Sequence, residues 1–486
     1  MFVVVAAAWT LGRASLSGDE AATWAISGHG LGDVVHVLRG SGGDRAAGLY
    51  YVAIYAWTRV FGTGVVALRS LSVIAAGIAI APFHAIVRRL GRPTALAADT
   101  LLATSPFFLA HAREARAYSM ALTLVVLASW TFLRAVGRDR RRDWTVYVTV
   151  AVLALYTQWF AALVLLAQFS SRLAANRSAR WSRRATISGG CLAVAAVPIV
   201  VLVLSGDTGG VGWIAPLSGA QIRAVLATFA GSSSWLAQAA VLAVVVVGLA
   251  AAVRVIRRER STARGATAAL TLAWLVLPLA AVVAVSTVKP LLVSRYLIVA
   301  LPGFVVLLGL GLTRISRGRV MLVAIGVAAL IALESSAYDQ VWAARHVDED
   351  WRGIVETVDR HAGPNDGIVV FPGTAAYGFG YYARGAPSLA RRSGPTWPPT
   401  SWNTPFGKDP ASAPTALSAV AALRGPVVWL VVRQPGGPTV RASVSDPKVL
   451  NALRRALSRR FPYRRPMRPF VGHTVSLVRY SMTPGP

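Results

Sequence analysis

Only 20 of the 486 residues are Asp or Glu, so each carboxylate in this apolar chain is worth tracing. The adjacent pair Asp19-Glu20 follows the first apolar run. A carboxylate pair at the end of an apolar run is a candidate for acid–base chemistry; the plain alternative is a solvated acidic pair. The segment His111-Ala112-Arg113-Glu114-Ala115-Arg116-Ala117-Tyr118 sets four ionisable groups and a phenol between two apolar runs. Desolvating such groups costs several kcal/mol, which favours a functional reading over snorkelling arginines paired with Glu114. Further on, Lys289 and then Ser294-Arg295-Tyr296 place two cations at the end of another run. Cations there can hold a phosphate, or simply anchor the chain to lipid headgroups.

These residues are positioned by apolar runs too numerous for a soluble enzyme. The chain is 55% hydrophobic and 14% charged, which reads as a polytopic α-helical membrane protein. Its formal charge of +30 comes in short clusters between the apolar runs, the pattern of cytoplasmic loops, and argues against nucleic acid as a partner. Lysines are only Lys289, Lys408 and Lys448, and this bias to Arg, with abundant Ala, Val and Gly, suggests a GC-rich bacterial source. The single Cys191 excludes an intramolecular disulfide.

Phe2 to Leu11 is too short to cross a hydrocarbon core of about 30 Å, and no basic residue precedes it. It reads as the outer part of a first helix whose true start is lost or misassigned, rather than a signal peptide. Ten further runs follow: Val65 to Val87, Thr94 to Ala110, Tyr118 to Leu133, Trp144 to Gln158, Trp159 to Ser171, Ala185 to Ser205, Trp235 to Val253, Ala266 to Ser286, Tyr296 to Leu312 and Val320 to Ala337. About eleven crossings are expected, with a tight turn at Gln158-Trp159 separating two of them.

Orientation follows from arginine. The alternate loops 88–92, 134–142, 172–184, 254–264 and 314–319 hold 21 basic residues and are assigned to the cytoplasm. Segments 13–64, 111–117, 206–234, 287–295 and the C-terminal tail then face outward. The alternation works only if Leu49 to Phe61, short and rich in Tyr and Trp, lies along the interface instead of spanning. A transmembrane domain over 1–337, whose outer loop 13–64 carries juxtamembrane helices, is therefore expected.

From Tyr338 the composition turns to Pro, Gly, Asp and Arg. Helices are expected at Asp350 to His361, Thr415 to Leu423 and Asp446 to Phe461, and strands at Gly367 to Phe371, Val427 to Val432 and Thr474 to Tyr480. This is a C-terminal extracytoplasmic α/β domain over 338–486. Its Arg391, Arg392, Arg454, Arg455, Arg459, Arg460, Arg464, Arg465 and Arg468 form either a surface for anionic lipid or a solvated basic face. No repeat or metal-ligand cluster stands out, and Gly62-Thr63-Gly64 follows no strand and is not a phosphate loop.

In sequence order, an acidic DE, GLYYVAIYAWTRVFG, LRSLSVIAAGIAIAPFHAIVRRLG, TSPFFLAHAREARAYSMAL, LYTQWF, VSRYLIVALPGFVVLLGLGL and DWRGIVETVDRHAGPNDGIVVF together resemble the C-type (GT-C) membrane glycosyltransferases. The likeness runs over residues 10 to 370 and is nearest the glycosyltransferase 39-like branch, which includes protein O-mannosyltransferases and lipid A aminoarabinose transferases. In that family a helix pair lies along the outer surface before the second span, as expected for Leu49 to Phe61. The resemblance implies that Asp19 is the catalytic carboxylate and Glu20 its acidic partner. Glu114, Arg116 and Tyr118 match the second-loop motif, of which His111 and Arg113 are neighbours, and Arg295 and Tyr296 match a late step facing the donor phosphate. Where relatives carry His-Pro-Pro or an acidic-Lys-Pro, this chain reads Ala46-Ala47-Gly48.

A family member takes sugar from a polyprenyl phosphate, whose phosphate leaves already ionised, so cations rather than a general acid serve that side. One base remains necessary, Asp19, and inversion at the anomeric carbon is the expected outcome. Arg116, Lys289, Arg295 and Tyr296 are expected to bind the donor phosphate. Some relatives use a divalent metal and others do not; Glu20 and Glu114 are the candidates to hold one. The implied partners are a polyprenyl-phosphate sugar donor, membrane lipids, and a cell-envelope glycan, lipid or protein acceptor. The implied place is a bacterial cytoplasmic membrane with the active site outside, and the sugar, mannose or arabinose, stays open. A transporter or flippase of a lipid-linked sugar is the alternative, although its charges belong at mid-membrane. A third is a catalytically inactive scaffold whose outer domain binds cell-wall polymer.

Overall fold

The computed structural model describes residues 1–28, 30–32, 34–35, 47–175, 182–204, 213–342, 349–390, 396–397, 420–421, 423–434, 447–467, 470 and 474–484. These form two compact units, each discontinuous in sequence: residues 1–9, 41–50 and 69–342 make the first, and residues 10–40, 51–68 and 343–486 the second.

The first unit is helical. Among the described residues six helices are long and apolar enough to cross a membrane: Val65–Leu90, Ala117–Arg138, Arg183–Val201, Trp235–Arg258, Ala263–Ser286 and Ser294–Ile315. Two shorter apolar helices, Ala161–Leu173 and Val320–Leu333, accompany them. The expected turn is present: helix Arg141–Thr157 ends at an extended Gln158, and a new helix opens at Ala161. Elsewhere the expected runs are interrupted. Thr94 to Ala110 is two helices, Arg92–Thr104 and Pro106–Ala112, because Pro106 cannot continue the first and is suited to the opening turn of the second. Val320–Leu333 stops at Glu334, and a separate helix, Ser335–Trp342, follows.

Without a hydrophobic drive between spans in lipid, close backbone approach and buried hydrogen bonds hold such helices together. A Cβ on Gly248 would fall 2.0 Å from the Leu307 carbonyl oxygen, and one on Gly311 would fall 2.1 Å from that of Val244. Helices Trp235–Arg258 and Leu301–Ile315 therefore touch backbone to backbone, and larger residues at these points would drive them apart. Tyr147 donates to Gln168 Oε1 at 2.8 Å, and Gln168 Nε2 donates to Ser129 at 3.0 Å, tying three helices through buried polar groups.

The second unit is built on a five-stranded sheet: β1 (Gly367–Phe371), β2 (Thr396–Trp397), β3 (Val427–Arg433), β4 (Tyr463–Pro466) and β5 (Val475–Ser481), in the order β2-β1-β3-β5-β4. β1 runs parallel to β2 and β3; β5 runs antiparallel to β3 and β4. Strand alternation sends Val369, Phe371, Leu430, Val432 and Val478 to one face, under helix Pro447–Arg460. Ile368, Val370, Trp429, Val431 and Leu477 go to the other, under helix Trp351–His361 and Phe379 of helix Ala376–Ala383. Trp351, Ile354, Val355 and Val358 recur at helical spacing and make the buried stripe of their helix. The expected strands at 367–371, 427–432 and 474–480 and helices at 350–361 and 446–461 are present within two residues at each end. The helix expected at 415–423 lies almost wholly outside the described residues, as do Arg391, Arg392, Arg468 and Ala46.

Leu49 to Phe61 is a helix, Gly48–Phe61, of 14 residues.

Candidate active site

In the second unit, Ser17 caps helix Gly18–Ser27. Its hydroxyl accepts from Glu20 N at 3.2 Å, and Glu20 Oε2 accepts from Ser17 N at 2.9 Å. This reciprocal pair satisfies two otherwise orphaned backbone donors. Glu20 is fully buried in that role, while neighbouring Asp19 keeps 32% of its side chain exposed. Equal in sequence, the two carboxylates are unequal in the fold.

Asp19 Oδ1 lies 3.9 Å from Arg433 Nη2 at the end of β3. Arg433 is clasped by Glu349, its Nη2 at 2.7 Å and Nε at 2.9 Å from Oε1. The other oxygen, Oε2, accepts from the Gly18 backbone N–H. A Cβ on Gly18 would lie 2.9 Å from the Arg433 guanidinium carbon, so the absent side chain at 18 lets the arginine in. Further contacts fasten residues 10–27 to the sheet domain. Leu16 N donates to the Tyr382 hydroxyl at 2.8 Å, Arg352 donates to the carbonyls of Gly12 and Arg13, and Trp24 meets Tyr381 edge-on at 5.2 Å. Arg384 lies over both the Trp24 and Tyr381 rings, at 4.9 and 4.3 Å.

In the first unit the second-loop residues divide in the same way. Arg113 is 8% exposed and donates to the carbonyls of Ala7 and Trp9, closing the end of helix Phe2–Ala8. Burial first, and the nearby Arg69 second, push its guanidinium down to about 10, still protonated at neutral pH. His111 Nδ1 and Glu114 Oε2 are 2.8 Å apart, and the His111 ring lies 4.9 Å from that of Tyr118. The helical segment Ser294–Ala300 packs against helix Ala117–Arg138, which Tyr118 opens, so the charges of Arg295, Arg116 and Glu114 bear on the Tyr118 phenol. The fold thus brings Glu114, Arg116, Tyr118, Arg295 and Tyr296 to one place, although some 180 residues of sequence separate their two groups. Arg295 is seated 4.8 Å over the Trp213 ring, and Tyr296 stacks on Phe160 at 4.8 Å. Lys289 follows the end of helix Ala263–Ser286, its backbone N–H bonded to Val285 O, and no side-chain ion pair of its own is found among the described residues.

Sequence reasoning missed Glu349, Arg433, Arg69 and Trp213. Arg69, 2% exposed in an apolar helix, carried a usable signal, since a charge inside such a run is costly unless employed. Glu349 lay within the acidic run Asp348-Glu349-Asp350 and looked like surface. Of the two metal candidates, Glu20 serves the helix cap and Glu114 faces His111. Among the described residues no three His, Cys, Asp or Glu side chains converge.

Comparison with known proteins bears on the fold. Residues 48–204 match the family described as dolichyl-phosphate-mannose-protein mannosyltransferase. No curated protein matches the sequence. The chain is similar in structure to ArnT from Cupriavidus metallidurans in the apo state, with a TM-score of 0.56 and 13% identity over 99% of this chain and 97% of that one. It is similar also to the same protein bound to undecaprenyl phosphate, with a TM-score of 0.57 and 12% identity over 100% and 98%. Archaeal oligosaccharyltransferase AglB from Archaeoglobus fulgidus, in complex with an inhibitory peptide and a dolichol-phosphate, gives a TM-score of 0.50 and 13% identity over 88% and 69%. The resemblance read from the sequence is borne out: this is a multi-pass membrane protein with the C-type membrane glycosyltransferase fold.

Proposed function

We propose that this chain, a membrane protein with the C-type glycosyltransferase fold, transfers a sugar from a polyprenyl-phosphate donor to a hydroxyl of a cell-envelope glycan, lipid or protein. Asp19 acts as the general base. It takes the acceptor proton as the acceptor oxygen attacks the anomeric carbon on the face opposite the phosphate; the carbon–oxygen bond to phosphate breaks, its electron pair leaves with the polyprenyl phosphate, and configuration inverts. Arg116, Lys289, Arg295 and Tyr296 serve the donor phosphate, whose leaving charge needs cations and no proton. His111, Arg113, Glu114 and Tyr118 order the loop around it. With the arginine-rich loops in the cytoplasm of a bacterium, the reaction and the domain over 338–486 belong on the outer side.

The observation that carries this reading is Asp19 itself. It remains one-third exposed at the first turn of a helix, where the axial dipole favours an anion, while its neighbour Glu20 supplies the cap. The polyprenyl phosphates named with the similar structures support the donor class.

The test is transfer from radiolabelled polyprenyl-phosphate mannose or arabinose to envelope acceptors by purified protein, with Asp19→Asn alongside. Transfer by the wild type that vanishes in the variant is expected. Undiminished transfer by Asp19→Asn sinks the base assignment; translocation of labelled lipid without transfer from any donor sinks the enzyme reading in favour of a flippase.

A further inference from the structure

From Pro447 to Pro486 the chain carries eight arginines and one lysine, and no Asp or Glu. The fold gathers part of this charge around one concavity. Helix Pro447–Arg460 turns Val449, Leu450, Leu453 and Leu457 to the sheet, which leaves Asn451, Arg454, Arg455, Ser458 and Arg459 on its outer side. Edge strand β4 brings Arg464 to the same hollow, whose volume is about 450 Å³. Among the described residues four guanidinium groups line it, and no carboxylate does.

That arrangement is uphill for the bare protein. Arg455 and Arg459 are like charges four residues apart on a helix, which repel. None of the four arginines has an ion-pair partner among the described residues, and the Arg454 Nε is buried with no hydrogen-bond acceptor. A buried donor without an acceptor is paid for by stability elsewhere or satisfied by a ligand. An anion in the hollow removes both penalties at once. The planar guanidinium fork matches the oxygens of phosphate, and Asn451 and Ser458 add neutral donors.

We propose that this hollow is a binding site for a phosphate ester: four arginines of the helix and β4 close on the phosphate, and the remaining volume takes one attached sugar or headgroup. The site uses the sheet face opposite helix Trp351–His361 and shares no residue with the proposed catalytic set, so it stands or falls independently of it. The phosphate can belong to a membrane lipid or to a soluble phosphorylated glycan.

The experiment is calorimetric titration of the full-length protein, in neutral detergent, with pyrophosphate as the probe. Saturable binding is expected, weakening steeply with added salt. The triple variant Arg455→Ala/Arg459→Ala/Arg464→Ala, at exposed positions outside the core, should bind at least about tenfold more weakly, as expected for lost charge-assisted hydrogen bonds. Arg464→Glu alone, on the edge strand, should show a loss in the same direction if the triple variant is unstable. Arg295→Ala should leave this binding intact, which separates it from the donor site. In nanodiscs, phosphatidylglycerol that competes with pyrophosphate in the wild type identifies a lipid headgroup; pyrophosphate binding indifferent to phosphatidylglycerol identifies a soluble ester. Absence of saturable binding, or equal affinity in wild type and both variants, overturns the proposal.

Discussion

Asp19 and Arg295 are both partly exposed charges, yet the protein secures them by opposite means. Around Asp19, in the second unit, the fixtures are ionic and hydrogen-bonded: the Ser17–Glu20 cap, the Glu349–Arg433 clasp and the Gly18 amide. Around Arg295, in the first unit, they are aromatic: Trp213 beneath the guanidinium, with Tyr296 stacked on Phe160. A base must keep its charge, orientation and access to a proton, which directional bonds provide without covering it. In the proposed reaction Arg295 meets a phosphate, and an aromatic ring face holds a guanidinium in place by cation–π attraction. The contrast divides the acidic residues as well: Asp19 is the proposed base, whereas Glu20 bonds the Ser17 amide and Glu349 clasps Arg433.

The largest effect should come from Asp19→Asn, which keeps shape and removes the base. Transfer should fall by about 10²- to 10⁴-fold with the donor KM little changed, as read in a donor titration. A defect confined to KM would place Asp19 on the binding side and collapse the contrast. Next is Arg295→Ala, expected to weaken donor binding about 10- to 100-fold, the worth of a charge-assisted hydrogen bond, with Arg295→Lys recovering part of it. Binding assays that show the donor indifferent to Arg295→Ala would remove the phosphate role.

Glu349→Ala removes the clasp from the mostly buried Arg433 and should destabilise the second unit by about 3 kcal/mol in thermal melts. Glu349→Ala with Arg433→Met should recover much of that loss; if it does not, the clasp is not the source. The smallest effect belongs to the cap. Ser17→Ala should cost about 1 kcal/mol, and Glu20→Gln no more, with transfer largely retained by both. A Glu20→Gln enzyme as inactive as Asp19→Asn would show that the buried glutamate takes part in the chemistry after all.

Much of this was legible because the physics that writes it is local. Long apolar runs, the turn at Gln158, and period-2 strands against period-3.6 helices are composition and spacing: among the described residues six of the runs are helices long enough to span, and the turn and strands β1, β3 and β5 lie where expected. Elements whose reason is not local were missed. β4 has no buried side chain and exists because β5 offers it an edge, and helix Ala376–Ala383 is too short and Gly-rich to announce itself. Ser105-Pro106 splits a run that hydropathy alone read as continuous.

At the site, residue types and spacing by themselves determined the candidate set: Asp19-Glu20, the charged second loop, Lys289 and Arg295-Tyr296. Only the tertiary structure decided which partners each one meets. Asp19 and Glu20 differ by a single methylene and are adjacent, but one helical step turns Glu20 inward to the Ser17 amide and leaves Asp19 one-third exposed beside Arg433. Arg113 and Arg116 are three residues apart, yet the first is consumed by the carbonyls of Ala7 and Trp9 while the second lies among the charges around Tyr118. Whether a charged side chain caps or clasps depends on which backbone donors and acceptors end up beside it, and these can lie three residues away, as Ser17 does from Glu20, or in a distant segment, as Ala7 does from Arg113.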